Sequence, residues 1–143
     1  MKKIVFILSI LIVFVSAYSF RTTPENKINS EVNFYNGSLK EAMVKAKKEK
    51  KIIFLDVYAT WCGPCKLLKK TTFKDPELSD YFNKKFISLE INGEEGEGRE
   101  IVKKYQLKGY PSLLFIDSNG NLVNKTLGYY DGKQLLEIVK GIK

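Results

Sequence analysis

The sequence predicts an α/β domain, a central mixed β-sheet with helices on both faces. Three observations carry this. Ile52 to Tyr58 is a short, nearly continuous apolar run, the pattern of a strand covered on both sides. From residue 38 onward, stretches with helical period alternate with stretches of strand period. Near the C-terminus, Ser118-Asn119-Gly120 separates two strand-like runs, a hairpin signal that adds antiparallel pairing.

The elements follow in order. Val32 to Tyr35 has the composition of a short edge strand. Ser38 and Glu41 have capping-box spacing, and Leu39, Ala42, Met43 and Ala46 repeat at i, i+3, i+4 and i+7, so a helix starts there. The strand Ile52 to Tyr58 follows, then a helix expected from Gly63 to Phe73. Asp75-Pro76 opens another short helix to Asn83, with Leu78, Tyr81 and Phe82 as its apolar face. Phe86 to Asn92 alternates like a strand, and a helix between two strands makes them parallel. Asn92 to Gly98 is an acidic, glycine-rich loop, and Arg99 to Tyr105 is helical. Ser112 to Asp117 and Asn121 to Leu127 form the hairpin. Asp131 and Gln134 cap a last helix carrying Leu135, Leu136, Ile138 and Val139.

The first residues do not belong to that pattern. Lys2 and Lys3 precede the apolar run Ile4 to Val15, and Val15-Ser16-Ala17 has the small residues that signal peptidase reads. Twelve helical residues rise only about 18 Å, short of the roughly 30 Å hydrocarbon core. Residues 1–17 therefore read as a secretory signal. An uncleaved membrane anchor through residues 4–20 is the alternative. Residues 18–31, with Pro24, read as a polar tether, leaving 32–143 as the domain. Two of the 24 basic residues lie in the signal, so the exported chain carries 22 against 16 acidic residues, a net +6. The lysines are scattered along helices and loops rather than gathered in one strip with aromatics, which argues against nucleic acid. A monomer is expected.

There are two cysteines and no histidine. That excludes a His-assisted nucleophile and any Cys2His2 zinc site. No metal and no cofactor beyond a redox-active Cys62–Cys65 disulfide is expected. Trp61-Cys62-Gly63-Pro64-Cys65 opens the helix after the buried strand. Residues three apart share a helix face, so the two sulfurs can meet. Cys62 lies where free backbone N–H groups and the helix dipole favour an anion, which lowers its thiol pKa and makes it the attacking thiolate. Cys65, one turn in, is expected to be the more buried and to resolve the mixed disulfide. Pro64 suits the first turn, and Gly63 leaves the approach to Cys62 open. A zinc site needs about four ligands. A purely structural disulfide here closes too small a loop to constrain the unfolded chain much.

Asp56 is the second signal, a carboxylate inside the apolar strand six residues before Cys62. Burying it unpaired is costly, so it either points to solvent at an edge or sits beneath Cys65 with a raised pKa, exchanging protons with that thiol.

Trp61-Cys62-Gly63-Pro64-Cys65-Lys66, with Asp56 upstream, resembles thioredoxin, and the resemblance runs from about Val32 to the C-terminus. Gly109-Tyr110-Pro111-Ser112 is similar to the family's cis-proline loop, and Gly128 to a glycine lining the peptide groove. The resemblance implies a thioredoxin-like fold, a cis peptide before Pro111, and a substrate surface of Trp61, Gly63, Pro64, Tyr110, Pro111 and Gly128 around catalytic Cys62, Cys65 and Asp56. Thr72 to Glu77 looks closer to exported thioredoxin-like proteins than to the cytosolic type. Tyr58 and Asn92 stand where the family has a tryptophan and an aspartate. The family's lysine near the buried aspartate has no counterpart, Ser88 being nearest by register. The loop Asn92 to Gly98 is longer than thioredoxin's.

The function that follows is disulfide reduction in exported, periplasmic or extracytoplasmic proteins, with protein disulfides and dithiols as substrates and a membrane electron donor as the recycling partner. A disulfide oxidase or isomerase is one alternative, and a non-catalytic binding or chaperone module is another. The loop Asn92 to Gly98 is expected to border the site, since parallel strands end at one edge and open sheets bind ligands there. Glu94, Glu95 and Glu97 would then lie beside it.

Overall fold

The computed structural model describes residues 30–142. The expected signal and almost all of the expected tether lie outside the described residues. Five helices and four strands follow in the order α1 (Leu39–Glu49), β1 (Ile52–Tyr58), α2 (Gly63–Lys70), α3 (Pro76–Lys85), β2 (Phe86–Asn92), α4 (Glu97–Lys104), β3 (Ser112–Ile116), β4 (Leu122–Leu127) and α5 (Gly132–Lys140). The sheet order is β2-β1-β3-β4. β1 and β2 are parallel, and β3 is antiparallel to both β1 and β4.

Two apolar clusters lie against the sheet's two faces. Phe54, Phe86, Leu113 and Phe115 meet Leu68, Leu78, Phe82, Leu135 and Val139 from α2, α3 and α5. Ile53, Leu55, Val57, Leu89 and Leu114 meet Ala42, Ala46 and Ile101 from α1 and α4. This explains why β1 is buried along its length, and why β2 is buried on both faces instead of alternating. The first cluster is largely aromatic, with Phe54 edge-on to Phe82 at 4.9 Å between ring centroids.

Several boundaries differ from the sequence expectation: α3 runs to Lys85 rather than Asn83, the hairpin strands each lose a residue beside the turn, and three further differences follow. Val32 to Tyr35 is not a strand; it makes one bridge, Phe34 with Ser88. The chain's donors are divided among elements: Val32 N–H goes to Phe73 O, Asn33 N–H to the Asn83 side chain, and only Tyr35 N–H reaches β2. The helix expected through Phe73 stops at Lys70, and a separate 3-10 turn covers Thr72–Lys74. Thr72 Oγ donates to the Tyr130 carbonyl at 2.6 Å, and Phe73 turns into the core. Helix α4 starts at Glu97, two residues before Arg99, which shortens the acidic loop.

The caps form as the residue pattern indicates. Ser38 with Glu41 and Asp131 with Gln134 make complete capping boxes on α1 and α5. Asp117 organises the hairpin, accepting from the backbone N–H groups of Asn119 and Asn121 at 2.8 and 2.9 Å.

Candidate active site

The carboxyl ends of β1 and β2 lie together, and the chain leaves β1 straight into the cysteine motif. Cys62 is the N-cap of α2, and its Sγ accepts the Cys65 N–H at 3.2 Å. Pro64 stands in the first turn, where a missing N–H removes no helical bond. Cys62 and Cys65 are joined as a disulfide, their Cα atoms 5.3 Å apart. A Cβ at Gly63 would meet nothing within 4 Å, so the chain beside Cys62 borders open space.

The expectation that Cys65 is the more buried is not met. Cys62 is 2 % exposed and Cys65 5 %. Tyr58 and Tyr110 pack on the cysteine pair, while Cys65 lines a cleft beneath it, which accounts for its slightly greater exposure.

Asp56 is buried at 2 % exposure on β1. The solvent-facing alternative is therefore excluded. Burial raises its pKa to about 8, the Glu90 charge adds to the rise, and Lys69 opposes it. Asp56, Cys65, Lys69 and Glu90 line one cleft of about 230 Å3 with Tyr58, Ala59, Thr60 and Lys66.

The peptide bond between Tyr110 and Pro111 is cis. This loop is tied down twice: Ser112 Oγ donates to Gly109 O at 2.7 Å, and Gly128 N–H donates to Pro111 O at 2.9 Å. Gly128 has φ +102°, a left-handed backbone that side chains disfavour. Tyr110 meets Trp61 edge-on at 6.0 Å between centroids. Trp61 is 68 % exposed. Its indole N–H donates to the Glu94 carboxylate at 3.0 and 3.2 Å. The acidic loop thus touches the site through Glu94. Glu97 turns elsewhere, accepting the Leu39 N–H at the start of α1 at 3.1 Å.

The structure brings all nine sequence candidates near the end of β1 or the loops around it. It also adds residues that sequence reasoning passed over. The register partner of Asp56 on β2 is Glu90, not Ser88, which pairs with Phe54. The lysine of this neighbourhood comes from α2: Lys69 Nζ lies 2.7 Å from Glu90 Oε2 and 5.6 Å from the Tyr58 ring centre. Aligning Tyr58 with Asn92 at the strand ends would have found Glu90, two residues back on each strand.

The family profile of the thioredoxin-like domain matches residues 39–143. The chain belongs to the thioredoxin-like family. It is 30% identical over 149 residues to the thiol:disulfide interchange protein DsbD of Vibrio vulnificus, covering 95% of this chain and 25% of that protein. The chain thus spans about a quarter of that relative's length. Among solved structures, a candidate disulphide-isomerase from Bacteroides thetaiotaomicron superposes with a TM-score of 0.70 at 45% identity, covering 77% of this chain and 91% of that one. The oxidised C-terminal domain of Neisseria meningitidis DsbD superposes with a TM-score of 0.63 at 27% identity, covering 78% and 99%. A Thermus thermophilus thioredoxin, 18% identical over 77% of this chain and 85% of its own, shares the fold at a TM-score of 0.68. With its Cys62–Cys65 disulfide, this thioredoxin-like domain is of the thiol:disulfide oxidoreductase kind.

Proposed function

We propose that the protein reduces disulfides in exported proteins, with Cys62 as nucleophile, Cys65 as resolving thiol and Asp56 as the proton-exchanging group. The observation that carries this is Cys62 at the N-cap of α2, its sulfur on a backbone N–H, with Asp56 and Cys65 in one cleft below. The Cys62 thiolate attacks a substrate disulfide and releases one substrate thiolate. Cys65 then gives its proton to the Asp56 carboxylate and attacks Sγ of Cys62, releasing the second substrate thiolate and closing the Cys62–Cys65 disulfide. Trp61, Gly63, Pro64, Tyr110, Pro111 and Gly128 form the substrate surface in this reading, and a membrane donor returns the electrons. The signal pattern of residues 1–17 and the likeness to DsbD support an extracytoplasmic site of action.

Cys62→Ser is expected to abolish insulin reduction, and Cys65→Ser to accumulate mixed disulfides with substrate. A Cys65→Ser protein with wild-type turnover would remove the assigned roles. The direction of electron flow is read from the potential of the pair. A value near thioredoxin's, about −270 mV, marks a reductase, and one near about −120 mV marks an oxidase. The likeness to the Bacteroides thetaiotaomicron protein favours an isomerase as the second reading. Refolding of scrambled ribonuclease separates the two, since an isomerase restores activity without net change of thiols.

A further inference from the structure

Two buried carboxylate oxygens make no hydrogen bond among the described residues, Oδ1 of Asp56 and Oε1 of Glu90. They belong to register partners on neighbouring parallel strands, so their side chains leave the same face of the sheet into the cleft that Cys65 also lines. An unpaired buried carboxylate is costly, and two side by side are costlier unless one holds a proton. Lys69 decides which. Its Nζ lies 2.7 Å from the second oxygen of Glu90, so the cation is spent on Glu90, and the geometry assigns the proton to Asp56. The Glu90 side chain is 19 % exposed and that of Lys69 57 %, so the pair forms the cleft's outer wall while Asp56 lies at its floor.

We propose that Glu90, fixed by Lys69, is a positioning residue that keeps Asp56 protonated while Cys62 and Cys65 are disulfide-bonded, so that Asp56 is loaded to protonate Cys65 when the disulfide is reduced. The inference rests on Asp56 serving the cysteine pair as proposed above. In that step a thiolate of a reducing dithiol attacks Sγ of Cys62 and forms a new S–S bond. The Cys62–Cys65 bond breaks, its electron pair passes to Sγ of Cys65, and the Asp56 proton neutralises that sulfur. The second thiolate of the dithiol then frees Cys62. Asp56 is left as a carboxylate beside Glu90 and takes the proton back from Cys65 when that thiol next attacks Sγ of Cys62.

The charges facing Asp56 come from three elements. β1 contributes Tyr58, α2 contributes Lys66 and Lys69 beside Cys65, and β2 contributes Glu90. From β3 the register partner of Asp56 is Leu113, which does not titrate. Glu90 is the single carboxylate in this set. The direction of the Asp56 shift agrees: burial raises its pKa most, Glu90 raises it further and Lys69 lowers it.

The test follows the Asp56 carboxyl directly, by carbon NMR or its infrared carbonyl band, in the oxidised protein across pH 5 to 10. Glu90→Gln keeps the shape and removes the charge. It is expected to lower the Asp56 midpoint by about one pH unit, a tenfold change in the ratio of ionised to protonated Asp56. Lys69→Met is expected to make the two carboxyls together hold their protons to higher pH, whichever carries them, and Lys69→Arg to restore wild-type titration. In parallel, the rate of disulfide reduction by dithiothreitol, normalised to its thiolate, is expected to fall through the Asp56 midpoint and to shift with it in Glu90→Gln. An unmoved Asp56 titration in Glu90→Gln overturns the inference even if insulin reduction succeeds. An Asp56 midpoint that moves while the reduction rate does not follow overturns the link to Cys65. Lys69 is exposed enough that its variants fold whether or not Glu90→Gln does.

Discussion

Asp56 holds a proton that the same residue in the unfolded chain would lose. An unfolded Asp ionises near its ordinary value of 3.8, whereas the folded group stays protonated to about 8. Between those values the folded state binds more protons, so raising the pH through that window withdraws stability, and the loss levels off above pH 8. The oxidised wild-type protein should therefore have a lower urea midpoint at pH 8.5 than at pH 5, by a difference worth a few kcal/mol. Asp56→Asn, which cannot ionise, should lose most of that slope and be the more stable of the two at pH 8.5. Parallel curves for the two proteins would show that Asp56 ionises without hindrance in the fold. The same burial that penalises the charge places the carboxyl where it shares a cleft with Cys65, so a local cost in stability and the proposed chemistry have one cause.

At the scale of an element, the segment from Asn92 to α4 shows how tightly a loop is held to the site. A Cβ at Gly98 would lie 1.8 Å from the Asn92 carbonyl oxygen, so α4 starts against the end of β2 with no room for a side chain. Gly93 packs its backbone on the Tyr110 ring, where a Cβ would come within 2.6 Å. Arg99 Nε donates to the Glu94 carbonyl at 2.7 Å, which holds the loop between them. Gly98→Ala has a backbone obstacle rather than a flexible one. It is expected to cost about 1–3 kcal/mol, the range for overpacking. It should also disturb the Glu94 contact to Trp61. Trp61 is the protein's one tryptophan, so its emission reports this without labelling. An Ala variant with unchanged stability and emission would mean that α4 shifts freely from β2.

Over the whole molecule, the acidic loop lies on a chain of net charge +8. Two of the three carboxylates expected to line the site divide by role. Glu94 bonds Trp61, whereas Glu97 joins the N-terminus of α1, which lies 58 residues earlier in the chain. Exposed charges act mainly on association rate and are screened beyond about 8 Å at physiological ionic strength. Glu94→Gln should thus change the second-order rate with charged peptide disulfides at low salt, slowing basic peptides relative to acidic ones, with little effect at high salt. Glu97→Gln should leave those rates alone and lower thermal stability slightly, through the α1 terminus. Equal rates with acidic and basic peptides in wild type and Glu94→Gln would deny the loop any steering role.

Much of this was legible in the residues. Side-chain period determined α1, β1 and α5, because an amphipathic stripe or a doubly apolar run has one economical way to be buried; β2 was legible as a strand, while its burial on both faces was not, and the capping residues marked where α1 and α5 begin. Cys62, Cys65 and Asp56 were legible because each departs from what its element alone requires. The rest depended on partners distant in sequence. Val32 to Tyr35 has strand composition, yet its backbone donors go to three different elements. The helix after Cys65 ends early because Thr72 bonds a carbonyl 58 residues away. Lys69 and Glu90 look like ordinary surface charges in the sequence. Only the parallel register of β1 with β2, with α2 packed across them, sets that ion pair beside Asp56, and a charge's effect is decided by its neighbours in space and the water it loses there.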